Sequence, residues 1–486
     1  MTVTNRRLLE GLEQTLIRLA ESATDPAMQE ILSSSRYALD ELFARDDTAA
    51  IRAHYQKGLA TLGKTMASWN GAGRAVFEAE LKALPKTLAD DANWAACDRA
   101  LTALLKTAEK TCAVAAKESI DIRALLAWEA DGYRFASRQA AAEASQAMEV
   151  RAEAILEFIR ATGSGRDNAE LVSFRPLPGG FSKQTVMFEI KTPHYGNEEL
   201  VLRAEGPIKL LNIQGQIIEK EYSLLRYVCR RGIKVAEPLW LQEKTLPHHL
   251  ISRRMPGVLR GGGTEALAPM SDQLLASIAT ELAKIHALPL DFADPDFAAS
   301  HVGRVRPATR REAVSKALHE WTDYWSEKVN RASPAMKYAV DWVYKNIPNW
   351  QEKPVLVHAD CGANNVLIDN DRVSAILDWE ISHLGDPAED VSWILFAMST
   401  PDERERFLQQ YQKASGIEVD AFSIKFYEVV TGLKLVIALF EAQEKYQNSP
   451  HPQVKLCKLG LPLLHGPLIK LSAAIEEAEK VKRNSM

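Results

Sequence analysis

The segment Val355-Leu-Val-His358-Ala-Asp360-Cys-Gly-Ala-Asn364-Asn365-Val-Leu-Ile368 sets a His, an Asp and two Asn between two apolar runs, and Ala375-Ile-Leu-Asp378-Trp-Glu380 follows closely. The apolar runs read as short buried strands. Polar side chains projecting from buried strands cost roughly 1–3 kcal/mol each unless they are paired or bind an ion. Phosphoryl transfer accounts for the concentration. It needs an Asp to orient the attacking hydroxyl and accept its proton, an Asn shortly afterwards to ligate Mg²⁺, and a further Asp on the next strand to bridge metal and phosphates. Asp360, Asn365 and Asp378 have the right types, order and spacing. Singly each has a plainer reading: a lone HxD is common, Asp378 could cap a turn, and Asn364-Asn365 could be a turn pair. Asp386, before Pro387, reads as a turn former, and Asp390 as a cap of the helix starting near Val391.

Upstream of this segment, the residues after Thr162 alternate as strands do. Phe174 to Pro178, Thr185 to Lys191 and Leu200 to Ala204 are strand candidates separated by Gly- or Pro-bearing turns. A helix from about Gln216 to Arg230 is closed by Gly232, and strands resume at Glu237–Gln242 and His249–Arg253. From Ser271 onward helices dominate. Leu177-Pro-Gly179-Gly180-Phe-Ser182-Lys183 joins two strand candidates as a phosphate-covering loop would, its glycines letting backbone N–H groups approach phosphate oxygens. It is not a Walker A loop, since no GxxxxGK[ST] occurs. Arg203 on the third strand stands where a kinase needs a cation for the phosphates, and the following helix supplies Glu219 and Glu221. His249-Leu-Ile-Ser252-Arg253-Arg254 looks like the strand and hinge between lobes, where backbone groups from Ser252 to Arg254 would meet an adenine edge. Arg253 and Arg254 also read as surface charges. His286 reads as a packed or capping histidine.

Residues 1–162 read as an all-α block: Leu8, Leu9, Leu12, Leu16, Ile17 and Leu19 share a helix side, and Ala136 to Ala161 lacks Gly and Pro. The expected architecture is α+β. A two-lobed protein-kinase-like fold, with a strand-rich lobe over 163–254 and a mainly helical lobe over 255–486, follows an N-terminal helical domain. That domain could form a homodimer, cover the site or dock a pathway enzyme, and nothing in it chooses. The formal charge of -5 and pI near 6.2 give no reason to bind nucleic acid or an anionic membrane. Five dispersed cysteines form no CxxC pair, arguing against a disulfide framework or a zinc site. Neither a secretory signal nor an apolar run long enough to span a membrane is evident, so a cytoplasmic protein is expected.

HADCGANN with ILDWE and GDPAED resembles the catalytic and metal-binding segments of the aminoglycoside phosphotransferase and choline kinase-like superfamily. The run Ala375 to Asp390 is most similar to phosphotransferase domains associated with acyl-CoA dehydrogenases. The resemblance covers about 170–486. It implies ATP and Mg²⁺ as cofactors, Asp360 as catalytic residue, Asn365 and Asp378 as metal ligands, and His358 as support for the loop. It further implies a phosphate-loop role for Ser182, an Arg at position 203, and Glu221 as its ion-pair partner. Two departures stand out: Ala359 replaces the usual Gly, and Lys183 an often-present Asn. The acceptor is then expected to be a hydroxylated small molecule, such as a hydroxyacyl-CoA or another catabolic alcohol. Trp321, Trp325, Trp342 and Trp350 either line its pocket or pack the helical core. The mixed, slightly basic stretch of His301, Arg304, Arg306, Arg310 and Arg311 suits an anionic or neutral acceptor better than a polycation. Competing readings are an antibiotic kinase, a catalytically inactive kinase-like binding module, and a metal-dependent hydrolase.

Overall fold

The computed structural model describes residues 48–67, 78, 81–89, 94–118, 122–132, 150–177, 183–206, 210–211, 213, 217–245, 247–260, 269–329, 332–362, 364–396, 398, 400–448 and 464–484. The helices expected over the first 43 residues lie outside these, as does the expected long helix from Ala136 to Ala161 as far as residue 149. Its described remainder is not helical at Val150 and Arg151, where Arg151 is extended, so a separate helix starts at Ala152. Gly179, Gly180 and Ser182 of the expected phosphate loop also lie outside the described residues. In chain order the elements begin with α1 (Thr48–Ala67), α2 (Trp94–Glu118), α3 (Arg123–Gly132), α4 (Ala152–Ala161), β1 (Glu170–Leu177), β2 (Lys183–Thr192) and β3 (Gly196–Glu205). Next come α5 (Ile218–Cys229), β4 (Pro238–Gln242), β5 (His249–Arg253), β6 (Val258–Leu259), α6 (Asp272–His286), α7 (Pro295–Ala299), α8 (Arg310–Tyr324) and α9 (Pro334–Asn346). The remainder is β7 (Val355–Val357), β8 (Val366–Asp369), β9 (Arg372–Ile376), β10 (His383–Gly385), α10 (Ala388–Phe396), α11 (Pro401–Ser415), α12 (Ala421–Asn448) and α13 (His465–Asn484).

These elements gather into two compact units that do not follow chain order: 1–145 with 321–346 and 429–486, and 146–320 with 347–428. In the first, α9 packs on α2, α3 and α13, while α1 packs on α2 and α3. Buried Glu129 accepts hydrogen bonds from Ala335 N at 2.6 Å and from Ser333 Oγ, putting a carboxylate on the N-terminus of α9, where the helix dipole favours negative charge. Three of the four tryptophans considered for the acceptor pocket fall in this unit, as core residues. Trp321, Trp325 and Trp342 are buried, Trp342 donating to Glu479 at 2.7 Å and Trp325 lying against Phe440.

The second unit holds a five-stranded antiparallel sheet ordered β1-β2-β3-β5-β4. Period-two alternation gives it two chemically distinct faces. Val186, Phe188, Ile190, Leu200, Leu202 and Ala204 are buried on one face together with Ile155 and Ile159 of α4, so that helix serves as the sheet's cover. The opposite face carries Lys183, Thr185 and Arg203, with Thr185 directly across from Arg203. Helix α5 ends as the sequence predicts: Gly232 takes φ 78° and Ile233 N bonds back to Val228 O at 3.2 Å, closing the helix with a left-handed residue. A second core links α5, α6 and α10 with Leu356, Val366, Ile376 and Trp379. The short pairings β8–β9 and β7–β10 carry the polar segment. Strands β6 and β10 were not among the expected ones. In this unit Trp350 stacks on Tyr427 and meets Phe426 edge-on.

Candidate active site

Strand β7 is two-thirds buried and delivers the chain into the turn His358-Ala359-Asp360. Three groups hold that turn. Asp390, completely buried in α10, accepts from His358 N at 2.9 Å and from Ala359 N at 2.7 Å. Its carboxylate also meets His286 Nε2 at 3.0 Å, and His286 Nδ1 lies 2.7 Å from the Tyr411 hydroxyl. Burial opposes the Asp390 charge, but His286, His358 and the amides outweigh it and bring the pKa down to about 2. Asp390 therefore buttresses the loop rather than capping its own helix, and His286 is the packed residue that its position in α6 suggested. The Trp393 indole donates to Ala359 O at 2.5 Å.

His358 accepts Asp360 N on Nδ1 at 3.2 Å and places Nε2 2.9 Å from Leu377 O, an arrangement suited to the neutral ring. Burial pushes its pKa down, in keeping with structural support. Asn365 Nδ2 donates to Asp360 O at 2.9 Å and to Asp360 Oδ2 at 2.8 Å, which commits the amide nitrogen. Asn365 O in turn receives Leu377 N at 2.8 Å, so the residue immediately before Asp378 is tied to Asn365. Asp378 itself adopts a left-handed φ of 66°. The three residues expected to act together are thus linked by a continuous set of bonds.

Arg203 spans the remaining expected partners. Its guanidinium lies 2.7 Å from Glu221 Oε1 and 2.8 Å from Asp378 Oδ1. Burial works against Asp378's charge, yet Arg203 and Lys183 prevail and hold its pKa down to about 2. Two residues outside the expected set join them. Lys183 Nζ lies 2.5 Å from Glu221 Oε2 and 2.6 Å from Glu380 Oε2. Burial raises the Glu380 pKa, and Asp378 adds to the rise. The signal for Lys183 was present in the chain. It sits two residues before Thr185, the strand partner of Arg203, so both cations face the same side. Glu380 gave no such signal.

Ser252 and Arg254 share no hydrogen bond or ion pair with this group. Ser252 is buried in β5 with its hydroxyl on Val201 O, and the half-exposed Arg254 pairs with Glu199 at 2.6 Å. The amides of Arg253 and Arg254 are bonded to Glu237 O and Glu199 O, which ties the strand's end to the sheet. Asp386 accepts Ala388 N at 2.8 Å and pairs with Arg310 at 2.9 Å, as its turn-forming position implied. Burial nevertheless raises its pKa to about 6. Among the described residues no group of three or more His, Cys, Asp or Glu could hold a metal alone.

A solved structure of a putative aminoglycoside phosphotransferase from Ralstonia eutropha superposes with a TM-score of 0.50 and 19% identity, covering 68% of this chain and 99% of that one. The likeness shows a kinase-like α+β fold. In sequence, mouse acyl-CoA dehydrogenase family member 11 is 25% identical over 245 residues, and mouse family member 10 is 25% identical over 213. These matches take in 47% and 42% of this chain but only 28% and 19% of the relatives, so the chain spans well under half of the length of either. Between residues 173 and 426, a little over half of its length and the whole of the Asp360–Asn365–Asp378 constellation, the chain matches the model of the phosphotransferase enzyme family, and to that family it belongs.

Proposed function

We propose that the chain is an ATP- and Mg²⁺-dependent kinase that phosphorylates a hydroxyl group of a small molecule. The observation that carries this reading is the direct Asp360–Asn365 bond beside an Asp378 already matched by a cation. The donor set suits Mg²⁺: one amide oxygen and one carboxylate are hard ligands, and Mg²⁺ completes its octahedron with water and phosphate oxygens instead of an all-protein cage. The guanidinium on Asp378 Oδ1 marks a place where positive charge is required. Asn365 and Asp378 would hold the ion, which when bound offsets the charge on the phosphoryl group being transferred.

Asp360 orients the acceptor hydroxyl and takes its proton. Asn365 donates to its Oδ2, which fixes the orientation of the carboxylate for that task. His358, Asp390 and Trp393 fix the turn so that this geometry exists before ligand arrives, which is where much of the rate enhancement of such enzymes originates. Arg203, steered by Glu221, is the phosphate-binding cation. Arginine suits that role because its planar fork can engage two phosphate oxygens. For the acceptor we infer a hydroxyacyl-CoA or another catabolic alcohol, on the strength of the acyl-CoA dehydrogenase relatives alone, since in the basic stretch Arg310 is committed to Asp386 and Arg311 to the Pro348 carbonyl.

The test is ATP consumption by the purified full chain over small alcohols, hydroxyacyl-CoAs and aminoglycosides, with Asp360→Ala alongside. Loss of the base should lower turnover roughly 10²–10⁴-fold while nucleotide affinity is retained. Turnover with aminoglycosides and none with hydroxyacyl-CoAs would discard the proposed acceptor. Absence of Mg²⁺-dependent nucleotide binding would discard the kinase reading itself.

A further inference from the structure

Resting on that reading, we propose that Lys183 is a second phosphate-binding cation of the nucleotide site and that Glu380 is its resting partner, exchanged for phosphate when nucleotide binds. A kinase-like site needs one strand cation held by one helix acid. Here a single carboxylate, that of Glu221, holds two cations from adjacent strands, one on each oxygen: Lys183 on Oε2 and Arg203 on Oε1. Glu221 is 2% exposed, and burying a carboxylate so deeply is tolerated only because both oxygens are matched.

Each cation then reaches one residue of the segment after β9, Arg203 to Asp378 and Lys183 to Glu380. The two pairs are equivalent in form but unequal in duty: Asp378 is one of the two residues that would hold the ion, and Glu380 is not. Two cations face three carboxylates, an excess of negative charge that a polyanion could not enter unaided. With a divalent ion held by Asn365 and Asp378, that sign would be reversed. Glu380 is then the carboxylate that can be given up: Glu221 holds both cations and Asp378 would hold the ion, whereas the one ion pair of Glu380 among the described residues is with Lys183. Lys183 also begins the strand that follows the expected phosphate loop, so its ammonium, on a flexible stem, has only to swing away from Glu380 to meet distal phosphate oxygens.

The experiment measures binding of Mg²⁺-ATP and of adenosine to the full chain by calorimetry, for wild type, Lys183→Met, Lys183→Arg and Glu380→Gln, with a thermal melt of each. Lys183→Met should weaken Mg²⁺-ATP about 10–100-fold, the loss of one charge-assisted phosphate contact, and leave adenosine affinity unchanged. Lys183→Arg should restore most of the difference. Glu380→Gln should tighten Mg²⁺-ATP by a few-fold, since the competing carboxylate charge is gone. Wild-type affinity for Mg²⁺-ATP in Lys183→Met, or equal loss of ATP and adenosine, overturns the assignment. Unchanged or weakened Mg²⁺-ATP binding in Glu380→Gln overturns the exchange. A wild-type chain that binds neither ligand overturns the kinase reading and this inference with it, an outcome distinct from the others.

Discussion

Ala359 takes a φ of 67° with its methyl group completely buried, in a backbone conformation that costs an L-residue roughly 1–2 kcal/mol. Glycine would occupy the same position without that penalty, and its greater freedom in the unfolded chain offsets only part of the gain. Ala359→Gly is therefore expected to raise stability by about 0.5–1 kcal/mol, read as a shift in urea midpoint; a loss of that size would show the methyl group to be a packing asset. Asp390, which accepts the amide of this same Ala359, supplies a pH dependence. Its pKa falls from an ordinary 3.8 to about 2 on folding, so the folded protein binds fewer protons than the unfolded chain between those values. The associated stability is complete above about pH 4 and disappears as pH falls towards 2, a term of roughly 2 kcal/mol. Wild type should consequently lose more stability between pH 5.5 and pH 3 than Asp390→Asn does in parallel urea melts, and equal slopes would remove Asp390 from the balance. That Asp360, Asn365 and Asp378 lie together was legible because the chemistry proposed for them dictates their types and spacing. The role of Asp390 was not, because its two amide donors lie more than thirty positions away in the chain and nothing local marks them.

Helix α4 and the sheet illustrate the same boundary at the level of elements. The alternation in β2 and β3 discloses which residues face the core, and hence that Lys183 and Arg203 share the other face. It does not disclose what covers the apolar side. Ile155 and Ile159 belong to a segment that reads as the end of a long helix, yet they pack against Val186, Phe188 and Leu202. Fixing the sheet from behind also fixes the direction in which Arg203 points. Ile159→Ala should cost about 2–5 kcal/mol in denaturant unfolding, because it empties a fully buried site. Nucleotide affinity should fall with it, even though the residue touches no ligand. Retained affinity at reduced stability would mean that the strand face is held by α5 alone. Strands β6 and β10 escaped notice for a different reason: at two and three residues they are too short to carry a period.

Across the whole molecule, the helices before residue 133 build one compact unit with α9 and α13, elements that lie hundreds of residues later. Composition identified these stretches as helical, but helical periodicity cannot name a partner. Only tertiary packing assigns α9, which lies within the family-matched span, to the company of α2 and α3. Glu129 is the residue on which that association is most exposed to test. Glu129→Ala leaves Ala335 N and the Ser333 hydroxyl without their acceptor and should lower stability by about 2–3 kcal/mol in a thermal or urea melt. An unchanged melt would show that the contact is replaced by solvent at no cost. Among the described residues no helix is long and apolar enough to cross a membrane. The interleaving of the chain has a further consequence during biosynthesis. On a ribosome adding roughly 5–20 residues per second, α1 to α3 emerge on the order of tens of seconds before α13 does. Throughout that interval the face of α3 that packs on α13 in the folded chain has nothing to cover it.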